Sequence, residues 1–572
     1  MTLKNCILRL FLFSLSLLLP TALLAAGKLP KTAPRALVKV TTFDASGNRL
    51  GEGIGFFIDE SGTALAPFAL FDKAARAEAV TAKGERLEVT RILGAGSLYD
   101  MVKFRVAVKK GKTVCLPLAQ NAAATGTELA LLRYLPGGKY DGSTVYIVKS
   151  DDFENYKYYG TSAPNDSTAF GCPLVNPETG EAVAIVQRNT LKDATGACAI
   201  DVRFANGLTI GSTASLQRDL RSILIPKALP EKREDALTYI YTMSVADSLQ
   251  RAAALTDYIA AFPADAEGYV NLAAFEAQYN HREQCDALFQ KALALAAEAK
   301  DSTMKADAVH YNYSKLIYAA ATEQNDTAGG WTLARAAAEA RAAYAALPEP
   351  LYLVQEGNCR FAQKDYAAAH RLYLDACSDK SFASAATFFS AARALELSGG
   401  DSTQVIALLD STVAHIPLPC SARDAQYYLE RSQRLVRAGR FRDAVADYNV
   451  YEQVIGPRNL NDKFYYLREQ AELQGRMYQQ ALDDIRSAIS ANPAEPYYAL
   501  EELLILIRTA QFEEAYTQAA ALLKRLPDDA DCHKFYGIAC IETGRRAEGM
   551  EHLQKARELG DATIDAIIEN YK

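Results

Sequence analysis

The chain has 572 residues, a formal net charge of −7, 49% hydrophobic and 23% charged residues, enough for two or more domains that each bury a core. The charge is divided unevenly: residues 28–230 hold 25 basic and 20 acidic side chains, a net of +5, whereas the chain from residue 231 onward carries −14. An acidic region of that size excludes nucleic acid as its partner, since phosphates need a basic surface, and leaves neutral or basic polypeptide as the better class.

At the start, Lys4 and Arg9 precede the apolar run Leu10 to Leu19 and the small residues Ala22, Ala25, Ala26 and Gly27. This order predicts a secretory signal peptide over residues 1–27, cut after Ala26 or Gly27. Cys6 lies too early for lipoprotein anchoring, and no later apolar run approaches the ~20 residues of a membrane helix. The expectation is an exported protein without a membrane anchor, periplasmic in the first instance and secreted in the second. Without Cys6, nine of the ten cysteines remain. Their odd number and irregular spacing do not form a disulfide framework, although an oxidising compartment leaves room for one or two bridges.

Residues 28–228 read as an all-β domain. Short apolar runs starting at Ala36, Gly55, Arg86, Met101, Glu128 and Glu181 are punctuated by Gly, Asp and Asn, the pattern of a barrel or sandwich. The motifs within them follow a particular order. Gly53-Ile-Gly-Phe-Phe-Ile-Asp leads through Gly62 to Leu65-Ala-Pro-Phe-Ala-Leu-Phe. Then come Tyr99-Asp-Met-Val-Lys-Phe-Arg-Val, Gly126-Thr-Glu-Leu-Ala-Leu-Leu, and Ser167-Thr-Ala-Phe-Gly-Cys-Pro-Leu-Val. Ala199-Ile-Asp-Val closes the series.

In this order and spacing the segment resembles the trypsin-like, HtrA/Deg-type serine proteases. The resemblance implies a double β-barrel, and it implies where a catalytic triad would stand. Ala69 occupies the histidine position, Asp100 the aspartate position and Phe170 the serine position. Cys172 replaces the second glycine after the serine, and Thr168 the turn glycine before it. All six histidines lie between His281 and His552, outside this domain. Trypsin-type hydrolysis needs an imidazole to take and return the serine proton, so the resemblance implies a degenerate, non-catalytic domain. Ser167 and Thr168 would offer a hydroxyl in a shifted register, but a hydroxyl without a base is a poor nucleophile. A lysine such as Lys73 would have to be buried beside it.

From residue 229 to 572 the pattern becomes helical, with a period near 34 residues. That is the signature of tetratricopeptide repeats. In the clearest unit, Tyr428 to Tyr448, Gly439 and Phe441 mark the interhelix turn while Ala444 and Tyr448 fill packing positions. Tyr465 to Pro493, Tyr498 to Pro527, His533 to Asp561, Tyr352 to Cys377 and Tyr269 to Leu293 repeat it. Residues 302–348 and 381–417 fit more loosely, the former with an insertion around Gly329-Gly330. The expectation is seven or eight units and a terminal cap helix, Ile564 to Tyr571. A domain pair of this kind resembles exported Bacteroidetes proteins. Six Asp-Ser/Thr-x triplets, among them Asp166-Ser-Thr and Asp401-Ser-Thr, are similar to the O-glycosylation acceptor of that group. Asp-Ser/Thr is also an ordinary capping pair.

His281 and Cys285 lie four apart on a predicted helix, a spacing that puts two metal ligands on one face, but no third ligand is near. No phosphate-binding loop, dinucleotide fingerprint or zinc-protease motif occurs, so neither a metal nor a cofactor is expected. The sequence therefore predicts a non-catalytic scaffold whose helical array binds protein or peptide in a concave groove. An active exported serine protease with a non-standard catalytic arrangement is the first alternative, and a periplasmic holdase the second.

Overall fold

A computed structural model describes residues 29–571, apart from residue 30 and the stretches 110–112, 136–138, 192–193, 245–247, 299–303 and 324–327. The signal-peptide segment lies outside the described residues. The chain divides into two compact units, Met1–Thr303 and Met304–Lys572.

The first unit contains two closed six-stranded barrels. Strands β1 (Leu37–Phe43), β2 (Arg49–Phe57), β3 (Thr63–Ala66), β4 (Arg76–Thr81), β5 (Arg86–Gly96) and β6 (Met101–Val106) form the first, in the order β1-β2-β3-β6-β5-β4. Strands β7 (Glu128–Leu135), β8 (Lys139–Phe153), β9 (Tyr156–Thr161), β10 (Pro173–Val175), β11 (Ala182–Gln187) and β12 (Cys198–Asp201) form the second, in the order β10-β11-β12-β9-β8-β7. All six apolar runs read from the sequence are strands. Burial alternates along β6, where Val102, Phe104 and Val106 face the first barrel's core while Met101 is buried on the opposite side, because successive side chains in a strand point to opposite faces. Gly55 permits a close approach: a Cβ there would meet the Leu65 carbonyl at 2.5 Å, so β2 could not lie against β3 with any larger residue.

Three cores result. Val40, Phe71, Ile92 and Phe104 fill the first barrel. Leu131, Val145, Tyr159, Leu174 and Val186 fill the second. Phe56, Leu65 and Met101 meet Leu132, Ile185 and Ile200 between the barrels. The first core does not stop at the barrel wall. Five helices follow, α1 (Arg218–Ser222), α2 (Arg233–Thr242), α3 (Ser248–Ala261), α4 (Ala266–Ala277) and α5 (Arg282–Glu298). Tyr239, Ile240, Leu255 and Tyr258 from α2 and α3 belong to the same buried cluster as the first barrel. Arg91 on β5 adds a bidentate pair to Asp257 on α3, at 2.6 and 2.8 Å.

The second unit is all helical. Seven helix pairs follow one another: α6 (Ala306–Glu323) with α7 (Leu333–Ala346), α8 (Pro350–Ala362) with α9 (Tyr366–Cys377), α10 (Ala385–Leu397) with α11 (Ser402–Ala414), α12 (Ala422–Arg437) with α13 (Phe441–Ile455), α14 (Asp462–Gln474) with α15 (Tyr478–Ala491), α16 (Tyr497–Arg508) with α17 (Phe512–Leu522), and α18 (Ala530–Glu542) with α19 (Arg546–Glu558). The final helix, α20 (Ile564–Asn570), buries Ile564 and Ile568 in the same cluster as Leu553 of α19. With α4–α5 in the first unit, the described residues contain eight such hairpins before the last helix.

The turn within these hairpins is chemically uniform. In six of the seven pairs of the second unit, one residue at the turn has a left-handed backbone: Lys364, Gly399, Gly439, Arg476, Ala510 and Gly544. The next residue's N–H then reaches the carbonyl five residues back, as in Arg440 to Leu435 at 2.8 Å and Arg545 to Cys540 at 2.7 Å. This is the Schellman closure, which satisfies helix-end carbonyls that would otherwise lack partners. Asn280 closes α4 in the same way. Small residues then let the paired helices touch. A Cβ on Gly357 would meet the Tyr373 ring at 2.8 Å, and one on Gly537 would meet Leu553 at 2.8 Å. The chain is thus a trypsin-like double barrel followed by an all-α array.

Candidate functional site

Antiparallel pairing of β3 with β6 sets Ala66 opposite Val102. The short helical turn Phe68–Leu70 that follows β3 is thereby placed beside the turn that precedes β6. Ala69 and Asp100 meet there: the Ala69 N–H donates to Asp100 Oδ1 at 2.8 Å. Asp100 has a positive φ of 47°, a region that a non-glycine residue enters only under constraint. The constraint is visible next to it. The ring of Tyr99 is buried and stacks on Phe204 at 3.8 Å between centroids, and meets Phe153 and Tyr156 edge-on at 5.1 and 5.8 Å. Its hydroxyl donates to Glu154 at 3.0 Å, across to the tip of the β8–β9 hairpin. Gln187 Nε2 donates to the Tyr99 carbonyl at 2.7 Å from the end of β11. The second barrel therefore grips the turn that carries Asp100. Burial pushes the Asp100 carboxyl above the usual range, and the N–H groups of Ala69 and Phe68 offset part of that rise.

Phe170 lies on the loop between β9 and β10. Its ring is half-buried against the second-barrel core, with the Arg188 guanidinium 5.2 Å from the ring centroid. Gly171 has φ of 79°, and a Cβ there would lie 2.5 Å from the Ile54 carbonyl and 3.1 Å from the Pro67 ring. This glycine is required, because here the loop presses on the first barrel just before Phe68. Cys172 is fully buried, and burial pushes its thiol up to about 12, so it stays protonated and unreactive.

The residues before Phe170 form a closed local network. Asp166 Oδ1 accepts from the Thr168 N–H at 2.8 Å and from the Thr168 hydroxyl at 2.6 Å. These two bonds hold the Asp166 carboxyl below its ordinary range, so it is an anion at neutral pH. Arg133 lies at 3.5 Å from the Thr168 hydroxyl. The Thr168 N–H thus faces a carboxylate, a setting that repels any second anion. Ser167 is exposed. Lys73 is exposed too, in a turn whose N–H donates to the Ser222 carbonyl at 2.9 Å, so it is not a buried base.

The structure thus brings two of the three positions that the resemblance assigns to a triad, Ala69 and Asp100, into direct contact, and sets the Phe170 loop against Pro67, two residues before Ala69. No local pattern marks the aromatic grip on Tyr99, since its partner rings lie up to 105 residues away. The Asp166–Thr168 closure carried a signal in the Asp-x-Thr spacing, which favours a local side-chain-to-backbone turn.

Other groups weighed from the sequence are placed separately. His281 Nδ1 pairs with Glu276 at 2.6 Å, while the Cys285 thiol is buried and directed at the Ala273 carbonyl at 3.2 Å. The two do not converge. His533 Nδ1 meets His552 Nδ1 at 2.7 Å. The nine cysteines among the described residues are all free. Asp401 caps α11 through the Gln404 N–H at 3.1 Å. No helix among the described residues is long and apolar enough to cross a membrane.

No family model and no curated protein matches the chain. Among solved structures, similarity is found to the Rv3671c protease of M. tuberculosis, with 17% identity over 31% of this chain and 80% of that one, at a TM-score of 0.27. An inactive form of the same protein gives 19% identity over 31% of this chain and 85% of that one, at 0.26. The HtrA-type protease AlgW with tripeptide gives 14% identity over 31% of this chain and 62% of that one, at 0.27. The fold class rests on the two barrels themselves.

Proposed function

We propose that this chain is an exported, non-catalytic scaffold: a degenerate trypsin-like domain joined to a tetratricopeptide array that binds protein or peptide. The observation that carries the reading is the state of the Phe170 loop. The nucleophile position holds a phenyl ring, and the N–H of Thr168 faces the ionised Asp166 carboxylate. Beside it, Asp100 binds the backbone of Ala69, where an imidazole would stand. Each of the three catalytic needs fails for a separate reason: no nucleophile, no base, and a blocked oxyanion donor.

The same segment keeps features that suit contact. The barrels are closed and well packed, and the helical region is acidic, which favours neutral or basic polypeptide partners. Repeated hairpins of this length support a groove for an extended segment.

The test uses the full-length protein, fluorescein-labelled casein and an immobilised library of short neutral and basic peptides. The proposal expects saturable peptide binding with casein left intact after prolonged incubation. Cleavage of casein would overturn it. Suppression of client aggregation at stoichiometric ratio, with no peptide preference, would assign a holdase instead.

A further inference from the structure

Apart from the triad region, the first barrel has a second concave feature. At one end, where β2 and β6 finish and β4 turns into β5, a cavity of about 290 Å³ opens. This is near the lower bound for ligand pockets, which favour the mouths of β-barrels. Its floor is apolar, formed by Phe57, Leu87, Val108 and Val114. Phe57 is almost fully buried, and its ring seals the cavity from the barrel core.

The rim is cationic, with Arg35, Lys83 and Lys109 around the opening and Glu85 as the single acid. Elsewhere on this barrel, most of the described cations have partners. Lys39 and Arg49 share Glu52, Arg76 and Arg86 share Glu78, Arg91 holds Asp257, Lys103 donates to the Ala205 carbonyl, and Arg105 to Ser61. Among the described residues of the barrel, Arg35, Lys83 and Lys109 are left with no side-chain ion pair or hydrogen bond, as are Lys31 and Lys73. Three of these five cations converge on one small apolar-floored cavity. Unpaired cations cost little in water, but three of them at one opening raise the local potential for an anion. Among the described lining residues, Glu85 leaves that opening with a net charge of +2.

We infer that this cavity binds a small amphiphilic anion, namely a free medium-chain carboxylate, with its alkyl chain on Phe57, Leu87, Val108 and Val114. The carboxylate sits among Lys83, Lys109 and Arg35. A small molecule is favoured over a polypeptide end because walls from separate chain segments surround a volume suited to one short chain. The alkyl part supplies burial of apolar area, and the rim cations supply charge-assisted hydrogen bonds. The site is separate from the proposed scaffold activity and does not rest on it.

The test is titration calorimetry of the full-length protein with octanoate, octanol and a short peptide ending in a free leucine carboxylate. Octanoate should bind saturably at one site, and octanol at least about tenfold more weakly, a difference set by the charge contacts. The exposed double variant Lys83→Glu/Lys109→Glu should lose octanoate binding, whereas Lys83→Arg/Lys109→Arg should retain it. Val114→Trp, which fills the cavity, should abolish binding while thermal unfolding stays near that of the parent. The inference is overturned by absent octanoate binding, by equal affinity for octanol, by an unchanged affinity in the charge-reversed variant, or by tighter binding of the peptide.

Discussion

Asp166 Oδ1 accepts both the N–H and the hydroxyl of Thr168, at 2.8 and 2.6 Å. One carboxylate oxygen thus closes a loop that, in a working enzyme of this fold, leaves its amides open to an oxyanion. Asp100 offers a contrast. It is held by a positive φ and by bonds from the neighbouring turn, in a setting that could still orient a histidine. On the proposed reading the degeneracy is uneven: the aspartate corner would keep its shape, and the nucleophile loop would be rebuilt.

This unevenness predicts how the site responds to repair. Ala69→His, Phe170→Ser and Thr168→Gly, each alone, should leave fluorophosphonate labelling at background. The triple variant should gain at most weak labelling at residue 170, and adding Asp166→Ala should raise it, because Thr168→Gly removes the hydroxyl bond to Asp166 but leaves the N–H bond that occupies the oxyanion donor. Mass spectrometry of the labelled peptide checks the position.

The second unit should lose stability as pH rises from about 5 to 8. Burial pushes both Glu469 and Glu472 up to about 8, with repulsion from Glu501 acting on the first and from Asp484 on the second. Glu469 is fully buried, and one of its oxygens has no hydrogen-bond partner. A carboxyl whose folded pKa lies above its unfolded value stabilises fully below the unfolded value, near 4.5. That contribution is lost as pH rises through the folded value. Thermal unfolding followed between pH 5 and 8 should show a falling Tm, and Glu469→Gln should flatten the fall. Carboxylates held low by arginine, such as Glu396 beside Arg434, act in the opposite sense at more acidic pH.

Arg468 is nearly buried and bonds Asp484 through two nitrogens, at 2.6 and 2.8 Å, while a third reaches Glu452 at 2.6 Å. Arg468→Ala strands both acids and should cost about 3–5 kcal/mol. The exposed pair Arg440–Asp443 joins residues three apart on the surface, and Arg440→Ala should cost less than about 1 kcal/mol. Urea unfolding of the two variants separates these values.

Ala510 occupies a left-handed turn position at φ of 57°, which costs an L-residue about 1–2 kcal/mol. Ala510→Gly relieves that strain and gives back part of it as unfolded-chain entropy. A net gain of about 0.5–1 kcal/mol is expected by denaturant unfolding, with the mirror substitution Gly439→Ala losing about 1 kcal/mol.

These turns also explain how far the sequence could be read. Gly399, Gly439 and Gly544 advertise the hairpin closure, whereas Lys364, Arg476 and Ala510 adopt the same geometry without any compositional mark. The helical period was therefore visible through its packing residues, such as Ala444, Tyr448 and Leu553, all buried as read. In the barrels, local alternation revealed the strands, and motif order revealed their arrangement. What stayed hidden depends on distant partners. Tyr99 and Phe204 stack across 105 positions, and Tyr258 enters the core of a barrel that ends more than a hundred residues earlier. No local pattern encodes such contacts.

The most direct measurement is labelling of the unmodified full-length protein with a fluorophosphonate probe, followed by mass spectrometry, with trypsin as the positive control. The account predicts no specific adduct. A stoichiometric adduct on Ser167 or Thr168, removed by mutating that hydroxyl together with the loss of peptide cleavage, would contradict it.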